Sequence, residues 1–95
     1  MNFYYTYILL CIDVGRGSRQ FYVGSTSNLD ERLQAHRDKN VQTTKKFDTV
    51  HLVYYEVCLN KTDARKRELQ LKTGFGRGYI SRRLEGYLKK FYPRA

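Results

Sequence analysis

Residues 3–12, FYYTYILLCI, are apolar at both sets of alternating positions. Phe3, Tyr5, Tyr7, Leu9 and Cys11 fall on one side, and Tyr4, Thr6, Ile8, Leu10 and Ile12 on the other. A strand apolar on both sides is covered on both faces, so this run predicts a central strand. Residues 13–20, with Gly15 and Gly17, read as a turn, and residues 21–24 return as the second strand of a long-looped hairpin. The period then becomes helical: Leu29, Leu33 and His36 sit at i, i+4 and i+7 over residues 29–37. Ser27 with Asp30, or Asn28 with Glu31, can open that helix.

Residues 38–47 are polar and basic and predict a loop, and residues 50–59, VHLVYYEVCL, predict a third strand. Asn60 followed by Asp63 starts a second helix with Ala64, Glu68 and Leu71 on one face, closed by Thr73-Gly74. Gly74, Gly76 and Gly78 punctuate a short connection. A third helix follows, with Tyr79, Ile80, Arg83, Leu84, Tyr87, Leu88 and Phe91 as its broad apolar stripe and Pro93 as its stop. The order ββαβαα predicts an α+β fold in which three helices flank a small three-stranded antiparallel sheet.

Ninety-five residues make a single domain spanning 1–95, with no room for a separate recognition module. Nine Tyr and five Phe supply a core that a disordered chain would lack. Cys11 and Cys58 lie in apolar runs without CxxC or His spacing, which reads as reduced core cysteines and argues against zinc. With no membrane-length apolar run and no signal peptide, the expectation is a soluble, cytoplasmic protein with no membrane partner. The formal net charge is +9, unevenly placed. Residues 1–60 hold seven Lys/Arg against six Asp/Glu, a net of +1, and residues 61–95 hold eleven against three, a net of +8. Such a basic third points to a polyanion, most commonly nucleic acid, beside the plainer reading of a solvated charged surface.

A strand carrying Tyr5-Thr6-Tyr7, a second carrying Tyr22-Val23-Gly24, Arg32 on the next helix and Glu68 on the helix after the third strand together resemble a GIY-YIG nuclease domain. The first motif keeps only its tyrosine, Tyr7; the second keeps Tyr22 and Gly24, with Val for Ile. The resemblance covers about residues 4–72, and the tail LKTGFGRGYISRRL is similar to that of small single-domain bacterial members. Two departures stand out: no Asn follows Asn60, and Ser25 occupies a position where some relatives carry Lys.

The resemblance implies a DNA endonuclease dependent on Mg²⁺ or Mn²⁺, with Tyr7, Tyr22, Arg32, His36 and Glu68 as the catalytic set. Tyr7 would be the base or would orient the attacking water, although a phenol of ordinary pKa, about 10, is a poor base near neutrality. Read from the strand alone, Tyr7 and Tyr22 are tyrosines that pack a ring and wet a hydroxyl. Arg32 offers a rigid fork of donors to phosphate, against the reading of a surface arginine paired with Asp30 or Glu31. His36, one turn later, could accept a proton from a tyrosine or donate to the phosphate, against the reading of a partly buried histidine that closes the helix face. Glu68 would hold the metal, or else pair with Lys72 at i, i+4.

Lys39, Lys45, Lys46, Lys72, Arg77, Arg82 and Arg83 are candidates for nucleic-acid backbone contacts. These give affinity without sequence readout, so selectivity would be for DNA shape or ends. The expected protein is a monomer associated with the nucleoid, with DNA repair as its setting. RNA is a second possible substrate, and a partner protein a possible source of specificity. The rival reading is a nucleic-acid-binding module of the same fold that cuts weakly or not at all.

Overall fold

In a computed structural model that describes residues 1–92, β1 (Tyr4–Asp13) is the central strand of a three-stranded antiparallel sheet. β2 (Ser18–Thr26) and β3 (Thr49–Cys58) flank it in the order β2-β1-β3. Both faces of β1 are covered, as its unbroken apolar run requires. On one face Tyr7, Leu9 and Cys11 pack with Leu33 of α1 (Leu29–Arg37) and with Phe47. On the other, Ile8 and Leu10 pack with Leu71 of α2 (Lys61–Leu71), Ile80 of α3 (Gly74–Arg83) and Leu88 of α4 (Glu85–Leu88). A 3₁₀ turn, Lys89–Phe91, follows. The α+β fold is the expected one, with the helical end divided further: ββαβααα. No helix among the described residues is long and apolar enough to cross a membrane.

Each helix start follows from a local polar group. Asn28 caps α1, its side chain accepting from Glu31 N at 3.1 Å, and Asn60 caps α2 by accepting from Asp63 N at 3.1 Å. On the sheet, β2 begins at Ser18 rather than at residue 21. Gly17 takes φ 65 and donates its N–H to Val14 O, so the turn is tight and the polar Ser18, Arg19 and Gln20 already pair with β1.

Two segments differ from the sequence reading. The glycines expected to form a connection lie inside α3, which starts at Gly74 and ends at Arg83, so the single helix expected from residue 79 is displaced and divided at Leu84. Thr73 caps the new start, and Gly76 packs so closely on the end of α2 that an added Cβ would overlap the Leu71 carbonyl. Close helix approach outweighs helix propensity here. The second segment, residues 38–47, is a run of turns that buries Val41, Thr44 and Phe47. The helix stop expected at Pro93 lies outside the described residues.

α2 is held in place from both sides of its inner face. Thr6 Oγ1 donates to Ala64 O at 2.8 Å. Arg67 forks onto Glu56 of β3, Nε to Oε1 at 3.0 Å and Nη2 to Oε2 at 2.9 Å, while Tyr54 donates to the same carboxylate at 2.9 Å. Burial pushes Glu56 up, but Arg67 and Tyr54 outweigh it and leave the carboxyl below its ordinary value. With Arg67 fixed, the next residue, Glu68, faces the sheet.

Candidate active site

Tyr7 sits midway along β1, opposite Gly24 of β2 and Tyr55 of β3. Its ring lies against Gly24: a Cβ built there would come within 2.6 Å of Tyr7 Cζ and of its hydroxyl. Gly24→Ala must therefore move a fully buried phenol, and the expected cost is about 1–3 kcal/mol, read as a lower urea midpoint with an unchanged slope.

Around the Tyr7 hydroxyl, α1 contributes two groups one turn apart. Arg32 Nε donates to it at 3.2 Å, and His36 Nε2 lies 2.8 Å away. Tyr22 closes the group, its ring centroid 5.0 Å from that of His36 and 6.2 Å from that of Tyr7. Beyond the Nε bond to Tyr7, the Arg32 guanidinium also interacts with the Tyr22 hydroxyl, and its remaining Nη hydrogens are left for an anion. On the far side of the imidazole, His36 Nδ1 meets Thr44 Oγ1 at 2.7 Å.

Burial sets the charge states. It pushes the Tyr7 phenol up to about 12 against the lowering effect of the Arg32 hydrogen bond. It pushes the His36 imidazole down to about 4, with the Arg32 charge acting in the same direction. Near neutrality both groups are uncharged, and Arg32 is the one cation of the cluster.

Glu68 is 4 % exposed and lies with Ala64 and Leu71 on the buried face of α2. Its Oε1 accepts from Ser25 Oγ at 2.7 Å and pairs with Arg65 at 2.7 Å, while Oε2 accepts from Lys72 Nζ at 2.6 Å. Burial raises this carboxyl, yet Lys72, Ser25 and Arg65 outweigh burial and hold it below its ordinary value. Ser25 follows Gly24 on β2 and so points to the opposite face. Glu68 thus meets β2 one residue from the Tyr7 contact, but across the sheet edge from the Tyr7–Arg32–His36 group. Among the described residues no three His, Cys, Asp or Glu side chains group as a metal cage. A single carboxylate can still suit Mg²⁺, which keeps most of its waters and takes further oxygens from a phosphate. Arg65 and Lys72 reach the carboxylate from the solvent side, with side chains 59 % and 46 % exposed, and its two oxygens already face cations, so this donor set fits such an ion.

The basic candidates divide. Lys72 and Arg77 line a cleft of about 510 Å³ along β2, together with Arg19, Tyr22 and Thr43. Lys39 is exposed but donates from Nζ to Phe47 O at 2.6 Å, and Lys46 lies over the Phe47 ring. Lys45, Arg82 and Arg83 are exposed. Thr44 and Arg65 escaped the sequence reading. The three-residue spacing of Val41, Thr44 and Phe47 is a signal for a buried turn, but nothing in it points to histidine.

The ββαβ frame thus carries a buried phenol joined to a guanidinium and an imidazole, with an inward carboxylate across the sheet edge. A family model described as "GIY-YIG catalytic domain" matches residues 3–83, and the chain belongs to the GIY-YIG nuclease family. Its substrate class is accordingly nucleic acid. The chain is 38% identical over 69 residues to a UPF0213 protein of Clostridium perfringens (strain 13 / Type A), covering 72% of this chain and 69% of that one. It is 36% identical over 74 residues to a UPF0213 protein of Staphylococcus aureus (strain Mu50 / ATCC 700699), covering 77% and 84%. A solution NMR structure of a UPF0213 protein from Bacillus halodurans matches with 27% identity and a TM-score of 0.42, over 95% of this chain and 85% of that one.

Proposed function

We propose that this protein is a metal-dependent DNA endonuclease that hydrolyses phosphodiester bonds, selecting DNA by shape or ends rather than by sequence. The observation that supports it most is the hydrogen-bonded line from Arg32 Nε through the Tyr7 hydroxyl to His36 Nε2, with the guanidinium also beside the Tyr22 hydroxyl and its remaining hydrogens left for phosphate. Arg32 binds the scissile phosphate and stabilises the charge that builds on its oxygens during displacement. Tyr22 and Tyr7 hold the attacking water.

A phenol at about 12 is not a ready phenolate, so the proton moves in concert. As the water oxygen bonds to phosphorus, its proton passes to the Tyr7 oxygen while the Tyr7 proton passes to His36 Nε2, and the phosphorus–oxygen ester bond breaks. A phosphate on Arg32 cancels part of the charge that holds His36 down, which makes the imidazole a better acceptor when substrate is present. Glu68 would hold Mg²⁺ or Mn²⁺, an ion that polarises the phosphate and supports the leaving oxygen. Lys72, Arg77 and Arg19 in the β2 cleft, with Lys45, Lys46, Arg82 and Arg83 outside it, supply sequence-independent backbone contacts.

A second reading, a binding module that does not cut, draws on the closure of Glu68 by Ser25, Arg65 and Lys72. The two separate on a panel of duplex, nicked, branched and single-stranded DNA, with RNA alongside, in Mg²⁺, Mn²⁺ or chelator. The nuclease reading expects cleavage with either metal and none with chelator. Salt-sensitive binding without cleavage of any substrate overturns it.

A further inference from the structure

His36 is held at both ring nitrogens, Nε2 at 2.8 Å from the Tyr7 hydroxyl and Nδ1 at 2.7 Å from Thr44 Oγ1. All three residues are buried, Tyr7 0%, His36 2% and Thr44 1% exposed. A neutral imidazole carries one N–H, so histidine donates in only one of these contacts. Either Nε2–H donates to the phenol oxygen while the Thr44 hydroxyl donates to Nδ1, or Nδ1–H donates to Thr44 while the phenol donates to Nε2. Only the second lets Tyr7 pass a proton to His36.

The count of partners decides between them. The Tyr7 oxygen already accepts from Arg32 Nε. In the first arrangement it accepts a second donor, and its own proton is left to the Tyr22 hydroxyl, a contact without the geometry of the 2.8 Å bond to His36. In the second, the proton without an acceptor belongs to the threonine hydroxyl, a much weaker acid and a weaker donor. Leaving the stronger donor poorly paired in a buried site costs more. The backbone around Thr44 is itself fixed: Thr44 N donates to Val41 O, and Phe47 N to Thr44 O, both at 3.1 Å, with Val41 and Phe47 buried on either side.

We propose that Thr44 is a positioning residue of the hydrolytic site, its hydroxyl accepting the Nδ1 proton of His36 and so fixing the tautomer whose Nε2 lone pair receives the Tyr7 proton. The catalytic consequence rests on the nuclease reading; the tautomer does not. A segment that joins α1 to β3 thereby becomes part of the site, through a residue three positions from each of two buried anchors.

Long-range ¹⁵N–¹H NMR correlations of the His36 ring read the tautomer without substrate or metal. The wild-type protein and Thr44→Ser are expected to carry the proton on Nδ1, and Thr44→Val to move it wholly or partly to Nε2. On the best-cleaved DNA, Thr44→Val is expected to lose about 10²-fold in kcat with DNA affinity unchanged, and Thr44→Ser to restore the rate. A wild-type Nε2–H ring overturns the proposal, and this measurement needs no variant to fold. So does a Thr44→Val protein with the wild-type tautomer, or one that cuts at the wild-type rate. If the wild-type protein cuts nothing, the nuclease reading fails, and the ring spectrum still decides the placement of Thr44.

Discussion

Glu68→Gln is expected to remove metal-dependent cleavage, by about 10³-fold or more, while tightening the grip on DNA roughly two- to fivefold at low salt. The two effects have one origin. The carboxylate neutralises Lys72 and Arg65 at 2.6 and 2.7 Å, and Lys72 lines the β2 cleft beside Tyr22 and Arg77. Glutamine loses the charge that would hold a divalent ion, and with its carbonyl oxygen on Ser25 its NH2 group faces the Lys72 ammonium, from which it cannot accept. The formal net charge rises by one from +9, and both cations become available to phosphates. Each new phosphate contact steepens the dependence of log K on log salt by about 0.9. Stability should fall by only about 1–2 kcal/mol, because glutamine still accepts from Ser25 and the two cations are solvated already. Anisotropy titrations over a salt series, with cleavage on the same DNA, check both halves. Retained cleavage would take the metal away from Glu68. Weakened binding would place the DNA away from the β2 cleft.

The sheet and the first two helices were legible because one physical signal dominates each. An apolar run on both strand faces fixes β1 as central, and Asn28 and Asn60 mark helix starts by side-chain acceptors found where expected. The inward face of Glu68 followed from its spacing with Ala64 and Leu71. The α3 start did not follow, because Gly76 answers to the Leu71 carbonyl, a contact that no local pattern encodes. Residues 38–47 read by composition as a polar, basic loop, which gives no sign that three of them, Val41, Thr44 and Phe47, are buried. The bond from the Lys39 ammonium to Phe47 O is likewise a contact that composition does not show. Pairwise chemistry across 8 or more residues, such as His36 with Thr44 or Ser25 with Glu68, exists only once the fold has brought the partners together.

His36 gives the fold an acid limb that begins close to neutrality. Burial and the neighbouring Arg32 charge hold its imidazole at about 4, against an ordinary value of 6.5 in the unfolded chain. Between these values the unfolded chain binds a proton that the folded site refuses, so stability rises with pH across the window. The contribution is complete above pH 6.5 and is lost as the pH falls through about 4. Its size is on the order of 3 kcal/mol, a large share of the roughly 5–15 kcal/mol of an ordinary domain. Glu68 and Glu56, both held below their ordinary values, add a loss of the same sign, but only below the usual carboxylate range. The two limbs are therefore separable on the pH axis. Urea unfolding at pH 7.5, 5.5 and 4.5 should show the wild-type protein weakening already between the first two points. His36→Gln cannot titrate, so its stability should stay level until the carboxylates protonate. Parallel pH curves for the two proteins would mean that the folded site accepts the proton as readily as water does. The uncharged imidazole on which the Tyr7 relay depends would then be lost as well.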